Sequence, residues 1–308
     1  MVSESRLVAP CVESPQAVCQ RGCGFEKGHG LSSVLQSIVG HCCPPHRDSG
    51  VVHCGLKFPQ FLISDREFPG SSRLLLKRPP FCPIKHLTVA QMASLPAETR
   101  HRGVDVGVAL LLESPSQKVL LTRRARTLSI FPNVWVPPGG HIEPEEQLLD
   151  AGLRELQEET GLWLQENEFS WHPLALWESV YPPRLSQGLP QRHHIVIYLH
   201  LVLHKSHQQL QARFKPNEAE VTAFAWLEPP TLASIAATED GAESEAMGVD
   251  GDAPSTVSIT ELEKGSAKTV VIPTTTFLAT APAQGEDVER VSTGTKYALR
   301  QWLKSWAT

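Results

Sequence analysis

GHIEPEEQLLDAGLRELQEETGL, residues Gly140 to Leu162, sets glycines, carboxylates and one arginine at the spacing G-x5-E-x7-R-E-U-x-E-E-x-G-U, where U is a bulky aliphatic side chain. At the angular step of an α-helix, Glu155, Glu158 and Glu159 share one face at i, i+3 and i+4, while Leu149, Leu153 and Leu156 fall on another. Such a helix buries its leucines against a sheet and turns three carboxylates toward a cleft. Pro144 suits a first helical turn and Gly161 a helix end, so the segment predicts a helix from near Pro144 to near Thr160, with Glu146 in its first turn. Like charges at this spacing destabilise a helix by roughly 0.2 to 0.5 kcal/mol per pair. A cation between them offsets that cost, and hard carboxylate oxygens suit Mg²⁺ or Mn²⁺. Most Glu-rich helical faces are merely solvated. A solvated face has no need of Gly139 and Gly140 before it, Arg154 within it and Gly161 after it.

Hydrophobic period places this helix inside an alternation of strands. VDVGVALLLE (104–113) and KVLLTRR (118–124) predict two strands joined by a turn at Ser114 to Gln117, with the helix following the PPGG loop. FSWHPLALWES (169–179), HHIVIYLHLVLH (193–204) and EVTAFAWL (220–227) predict three more strands, the second apolar enough for a central position. PPTLASIAA (229–237) predicts a short helix opening on its prolines.

The glycine, arginine and glutamate pattern of residues 140–162 resembles the Nudix box at every defined position, and the strand order around it is similar to that of Nudix hydrolases. The resemblance implies an α/β fold of the α/β/α sandwich type, with a mixed sheet, a loop-helix-loop box and less regular N- and C-terminal flanks. It also implies metal-dependent cleavage of a phosphoanhydride in a nucleoside diphosphate linked to another group, with Mg²⁺ or Mn²⁺ as cofactor. By that resemblance Glu155 and Glu159 are the leading metal ligands, joined by Glu158 and the Gly140 carbonyl. Glu146 supports the site and its catalysis indirectly, through a water or through Arg154. Water attack on a diphosphate needs a carboxylate to take the proton. Glu155 or Glu158 could serve, and so could a later-loop glutamate, Glu218 or Glu220, for which a solvated loop charge is the competing reading.

Substrate recognition is less sharply encoded. Arg123, Arg124 and Arg126 form the densest basic cluster near the box and are expected to meet phosphates, against the alternative of arginines that only solubilise a loop. LLTRRARTLSIFPNVWVPPGG (120–140) resembles the segment upstream of the box in Nudix enzymes that cleave coenzyme A. It departs from that pattern at Ser129, Asn133 and Pro137, where arginine, glycine and phenylalanine are expected, which moves coenzyme A to second place. Several Nudix enzymes remove the methylguanosine cap of RNA, and capped RNA is the leading expectation. Its cationic base would stack on an aromatic face, with Trp135, Trp171, Trp177 and Tyr181 at hand and Trp177 preferred. Each such ring is more often core than cap-binding platform. His193 and His194 are read as strand-edge residues with a lesser claim on phosphate. A free-nucleotide pyrophosphohydrolase and a nucleotide- or RNA-binding module without turnover are the other readings. The intact glutamates argue against the last.

The 308 residues carry a net charge of −5 and 41% hydrophobic residues, so nucleic-acid contact must be local rather than global. No apolar run approaches a membrane span, no secretory leader is evident, and the C-terminus lacks a peroxisomal address. The expectation is an intracellular, cytoplasmic protein with a nucleotide-type substrate and no obligate protein partner. Three regions are expected: 1–102, rich in Cys, Pro and Gly; 103–237, the hydrolase domain; and 238–308, an acidic loop and a C-terminal helix. All seven cysteines lie between Cys11 and Cys82, and their odd number points to reduced thiols. Zinc spacing is not matched by Cys19, Cys23, Cys42, Cys43 and Cys54 with His29, His46 and His53. VVHCGLKFPQFLIS could form a hairpin, TEDGAESEAMGVDGDAPS reads as a mobile loop, and TVVIPTTTFLAT as a strand. Ala298, Leu299, Trp302, Leu303 and Trp306 recur at helical spacing, as in a terminal helix docked on the core.

Overall fold

Alternation along one strand defines the two faces of the sheet. In Asp105–Glu113, Val106, Val108, Leu110 and Leu112 point to one side, where they pack with Ala151 and Leu156 of the box helix. Leu111 points to the other side, toward Leu232, Ile235, Leu299 and Trp302 of two further helices. Side chains of a strand alternate between faces, so one apolar run builds both cores. Each fully buried aliphatic residue contributes about 1.5 to 3 kcal/mol.

The computed structural model describes residues 16–20, 37–44, 46–58, 60–241, 253–285 and 287–306. Their strands are β1 (Gln16–Gln20), β2 (Ser49–Lys57), β3 (Gln60–Ser64), β4 (Ser72–Lys77), β5 (Asp105–Glu113), β6 (Val119–Arg124) and β7 (Val134–Val136). They continue with β8 (Gly139–His141), β9 (Phe169–Tyr181), β10 (Arg192–Leu203), β11 (Val221–Leu227), β12 (Thr256–Glu263), β13 (Ser266–Pro273) and β14 (Arg290–Val291). They join in one mixed sheet along the path β1-β3-β2-β4-β9-β10-β5-β6-β11-β12-β13, with β7 beside β6, β14 beside β7 and β8 beside β5. β10 is central, antiparallel to β9 and parallel to β5, as its continuous apolar character predicts. No helix among the described residues is long and apolar enough to cross a membrane.

Both flanks carry more regular structure than their composition suggests. The β2–β3 hairpin forms where VVHCGLKFPQFLIS predicts it, and β4 then runs parallel to β9, pairing Leu76 with Leu176 and Lys77 with Trp177. At the other edge β12 and β13 form a hairpin across Lys264 and Gly265, both at positive φ as a tight two-residue turn requires, and β12 pairs with β11. Short apolar runs hid β4 and β12 from a reading by period. The acidic stretch after Ala237 lies mostly outside the described residues, as do Cys11, Cys23 and His29. Its first part is anchored, since buried Asp240 accepts a 2.8 Å bond from buried Lys296. The expectation of reduced thiols holds for Cys54 and Cys82 but not for Cys42, which is disulfide-bonded.

The C-terminal helix, Thr293–Ser305, docks Ala298, Leu299 and Trp302 into the core. Trp306 departs from its expected burial: it follows the last turn, is 43% exposed, and packs edge-on to Trp302 with ring centroids 4.5 Å apart.

Candidate active site

Backbone contact between the box and β5 builds the site. β8 pairs Gly107 with His141, Val108 with Gly140 and Ala109 with Gly139. A Cβ on Gly139 would lie 2.1 Å from the Val108 carbonyl oxygen, and one on Gly140 would lie 2.3 Å from the Glu155 carboxylate. Position 139 therefore requires glycine, and a side chain at Gly140 would have to push the Glu155 carboxylate aside. Gly107 is a glycine within an apolar strand, the usual mark of close backbone approach, and a Cβ there would meet the Gly140 carbonyl oxygen at 3.0 Å.

The box helix spans Leu148–Thr160, so its end matches the prediction and its start falls four residues late. Residues 143–146 form a turn instead, with Glu145 at φ +66 and the Glu146 N–H donating to the Glu143 carbonyl at 3.2 Å. The gain that outweighs the lost helical turn is visible at Glu146. Its carboxylate accepts the Glu143 N–H at 3.0 Å and two bonds from Arg154, at 2.8 and 3.1 Å. Arg154 also donates to Glu155 and Glu158, both at 3.1 Å, and to the His141 carbonyl at 2.9 Å. These charges push the Arg154 pKa further up, chiefly through the bond to Glu146. Glu146 thus reaches the cluster through Arg154, one of the two routes expected. Gly161 ends the helix at φ +70.

The three helical glutamates differ in exposure. The Glu158 side chain is half exposed, Glu155 is largely covered, and Glu159 is buried. Glu159 accepts one long bond, 3.5 Å from the Gly139 N–H, and its Oε2 is buried without a partner. Burial pushes its carboxyl up to about 8, against the opposing pull of Arg124 and the Gly139 N–H. Burial likewise raises Glu155. An orphaned buried carboxylate oxygen, a second covered carboxylate against a glycine backbone and an all-oxygen donor set fit a divalent hard cation.

Side-chain alternation in β6 separates the two arginines. Arg124 lies on the same side as Leu120, toward the box helix, where its guanidinium donates to the Ile130 carbonyl at 3.1 and 3.2 Å. Its pKa is lowered by burial and raised in part by the charges of Glu159, Glu220 and Glu155. Arg123 points to the opposite side, to Glu261 at 3.0 Å and Glu289 at 3.1 Å. Its expected role in substrate binding is corrected accordingly: the period of the strand carries it out of the site.

The same comparison resolves the loop glutamates. The Glu220 carbonyl accepts the Ala125 N–H at 2.7 Å, which sets Glu220 beside the end of β6, and its charge acts on Glu155 and Glu159. Glu218 turns away and accepts the Gly265 N–H.

A cleft with about 220 Å³ of internal space runs from Gly139, Gly140 and Arg124 to an apolar end at Trp177, Val196 and Tyr198. Phe131 lines it too, as do Phe81 and Pro83 of the N-terminal flank, Arg290 of β14, and Ser292, Thr293 and Gly294 where the C-terminal helix begins. Of the expected aromatics only Trp177 lines it. Trp135 is core, bonded to Glu289 at 2.9 Å, Trp171 is 42% exposed at the far end of β9, and Tyr181 packs edge-on to Phe131 at 5.1 Å. His193 is buried and bonds Glu178 at 2.9 Å, whereas His194 faces the cleft and is pushed down to about 3 by burial. Sequence reasoning missed Phe81, Phe131 and Arg290, because only the fold brings these distant segments around one cleft.

Comparison with known proteins agrees with this geometry. The NUDIX domain model matches residues 101–246. The "m7GpppN-mRNA hydrolase NUDT17" of Xenopus laevis is 54% identical over 273 residues, which cover 89% of this chain and 90% of that protein. The protein of the same description from Homo sapiens is 54% identical, over 82% of this chain and 77% of its own length. That from Danio rerio is 49% identical, over 88% and 90%.

Proposed function

The chain belongs to the Nudix family, and on that premise we propose that it hydrolyses the 5′ methylguanosine cap of RNA, releasing methyl-GDP. The observation that carries the reading is one cleft joining the box backbone at Gly139 and Gly140 to an apolar, aromatic end at Trp177. A phosphate bridge at one end and a flat cationic base at the other match that polarity. The printed description of relatives about half identical over most of their length supports the same substrate.

Glu155, Glu159 and the Gly140 carbonyl would hold the divalent ion, with the half-exposed Glu158 completing the set. When bound, Mg²⁺ or Mn²⁺ neutralises phosphoryl oxygens and lowers the pKa of water. Glu220 accepts the proton of the attacking water at its carboxylate, which lies at the edge of the site and within reach of solvent. Arg124 donates to non-bridging oxygens of the substrate as negative charge shifts toward the leaving phosphate. Arg154 is a positioning residue that holds Glu155 and Glu158 in place, and Glu146 acts by fixing Arg154. Trp177 offers the base an aromatic surface.

The test offers methyl-capped RNA, unmethylated capped RNA, coenzyme A, acyl-coenzyme A and dinucleoside polyphosphates in parallel, with Mg²⁺ and with Mn²⁺. Release of methyl-GDP from capped RNA at the highest kcat/KM is expected. Rapid cleavage of coenzyme A with the cap left intact would overturn the reading.

A further inference from the structure

Three ligand-type side chains meet at the cleft outside the carboxylate cluster. Asp105, His141 and His194 each offer a donor atom, and the three atoms lie within 4.8 Å of one another. Sheet register brings them together. His194 stands opposite Asp105 in the parallel pair of β10 and β5, and His141 stands opposite Gly107 in the pair of β8 and β5. Asp105 and Gly107 are two residues apart and share a face. Gly107 has no side chain, so nothing projects between the two imidazoles, whose ring centroids are 5.5 Å apart. His194 Nε2 lies 3.8 Å from Asp105 Oδ2, an oxygen that Arg102 also meets, at 3.6 Å.

We infer that Asp105, His141 and His194 form a second divalent-metal site, selective for a borderline ion such as Zn²⁺ and separate from the box glutamates. Two imidazoles and a carboxylate suit such ions, whereas Mg²⁺ prefers an all-oxygen set. Ligand bonds of about 2.1 Å in a tetrahedral arrangement need donors about 3.4 Å apart. The observed spacing would close to that value through rotation of the exposed His141 and a small shift of Asp105. Three protein ligands leave a position open, and since His141 and His194 both line the cleft, that position faces the substrate. An ion there would take a phosphate oxygen or a base nitrogen of the bound nucleotide. The Gly140 carbonyl and the His141 side chain leave the chain at adjacent residues, so the two sites would flank one substrate.

The test uses the full chain stripped of metal and titrated with Co²⁺, which reports imidazole ligation by visible d–d absorption. Thiolate ligation is recognised separately by its sulfur-to-metal charge transfer. Wild type and Glu155→Gln/Glu159→Gln should both develop the imidazole band. His141→Ala and His194→Gln should each weaken Co²⁺ binding by about tenfold or more. Added Zn²⁺ should displace the band and added Mg²⁺ should not. His141 is exposed, so His141→Ala is expected to keep the wild-type circular dichroism and melting point, and that check separates ligand loss from misfolding. A band that survives in His141→Ala/His194→Gln, or that is missing from wild type, overturns the assignment. Loss of the band in the glutamate variant alone would show a single site at the box and overturn it too. The glutamate variant should lose hydrolysis whatever the histidines do, so the two readings fail independently.

Discussion

Glu159 is the residue on which the site turns. It is buried, one of its oxygens has no partner, and its carboxyl is pushed up to about 8. Removing its charge removes a cation ligand without disturbing an apolar contact, so Glu159→Gln should lower kcat on capped RNA by about 100-fold or more while the circular dichroism spectrum stays that of wild type. Glu220→Gln should lower kcat by roughly 10²- to 10⁴-fold with little change in KM, since a proton acceptor acts in the transition state. An equal effect of Glu218→Gln, whose side chain is bound to the Gly265 N–H, would remove Glu220 from that role. Gly140→Ala should be as damaging as either, because its Cβ would collide with the Glu155 carboxylate. At this scale the sequence was legible for placement wherever residue type and spacing set it: Glu155, Glu158 and Arg154 come together, and Gly161 ends the helix. It was not legible for Arg123 against Arg124. Adjacent arginines look alike in a string, and only the face assigned by β6 tells them apart.

Elements succeed or fail by their ends and partners. The box helix begins at Leu148 rather than near Pro144 because the carboxylate of Glu146 is better satisfied in a turn, by Arg154 and the Glu143 N–H. Proline at a first helical position is a tendency that a bidentate ion pair overrides. The other end is constrained by Gly161, where left-handed backbone and a Cβ only 2.8 Å from Lys215 disfavour any side chain. Gly161→Ala should cost about 1 to 2 kcal/mol from conformation alone, read as a lower denaturant midpoint. The N-terminus of a short helix, Ile38–Cys42, is held by Glu178. This buried carboxylate accepts the N–H groups of Ile38 at 2.7 Å and Val39 at 3.0 Å, and it bonds His193. Burial alone would raise its pKa, but these bonds, His193 foremost, bring it below the usual glutamate value. A lowered folded pKa stabilises the protein above the unfolded value and loses that contribution as pH falls through the folded one. Glu178→Gln should therefore melt lower than wild type at pH 7, and the gap should narrow as the pH drops below about 4.5. A gap constant with pH would mean that the charge contributes nothing.

Across the whole molecule the N-terminal region completes both the sheet and the cleft. β4 pairs with β9, Tyr297 donates to the Leu75 carbonyl at 2.7 Å, and Phe81 and Pro83 line the cleft together with Gly139 and Gly140 of the box. Composition marks residues 1–102 as a flank because their apolar runs are short. Only the β2–β3 hairpin is announced locally; the pairing of β4 with β9 is long-range, and nothing in the neighbouring sequence signals it. Deleting those residues should expose the edge of β9, so the remainder is expected to aggregate or unfold at lower temperature, and any folded fraction should show a raised KM. A truncated protein of full stability and full activity would show that the flank is dispensable. The central claim is that the glutamates of residues 140–162 hold the divalent ion that drives hydrolysis of the cap's phosphate bridge. It is tested most directly by single-turnover hydrolysis of methyl-capped RNA in Mg²⁺, comparing wild type with Glu155→Gln/Glu159→Gln. Methyl-GDP should appear with wild type and be reduced by orders of magnitude with the folded variant; equal release by both would contradict the account.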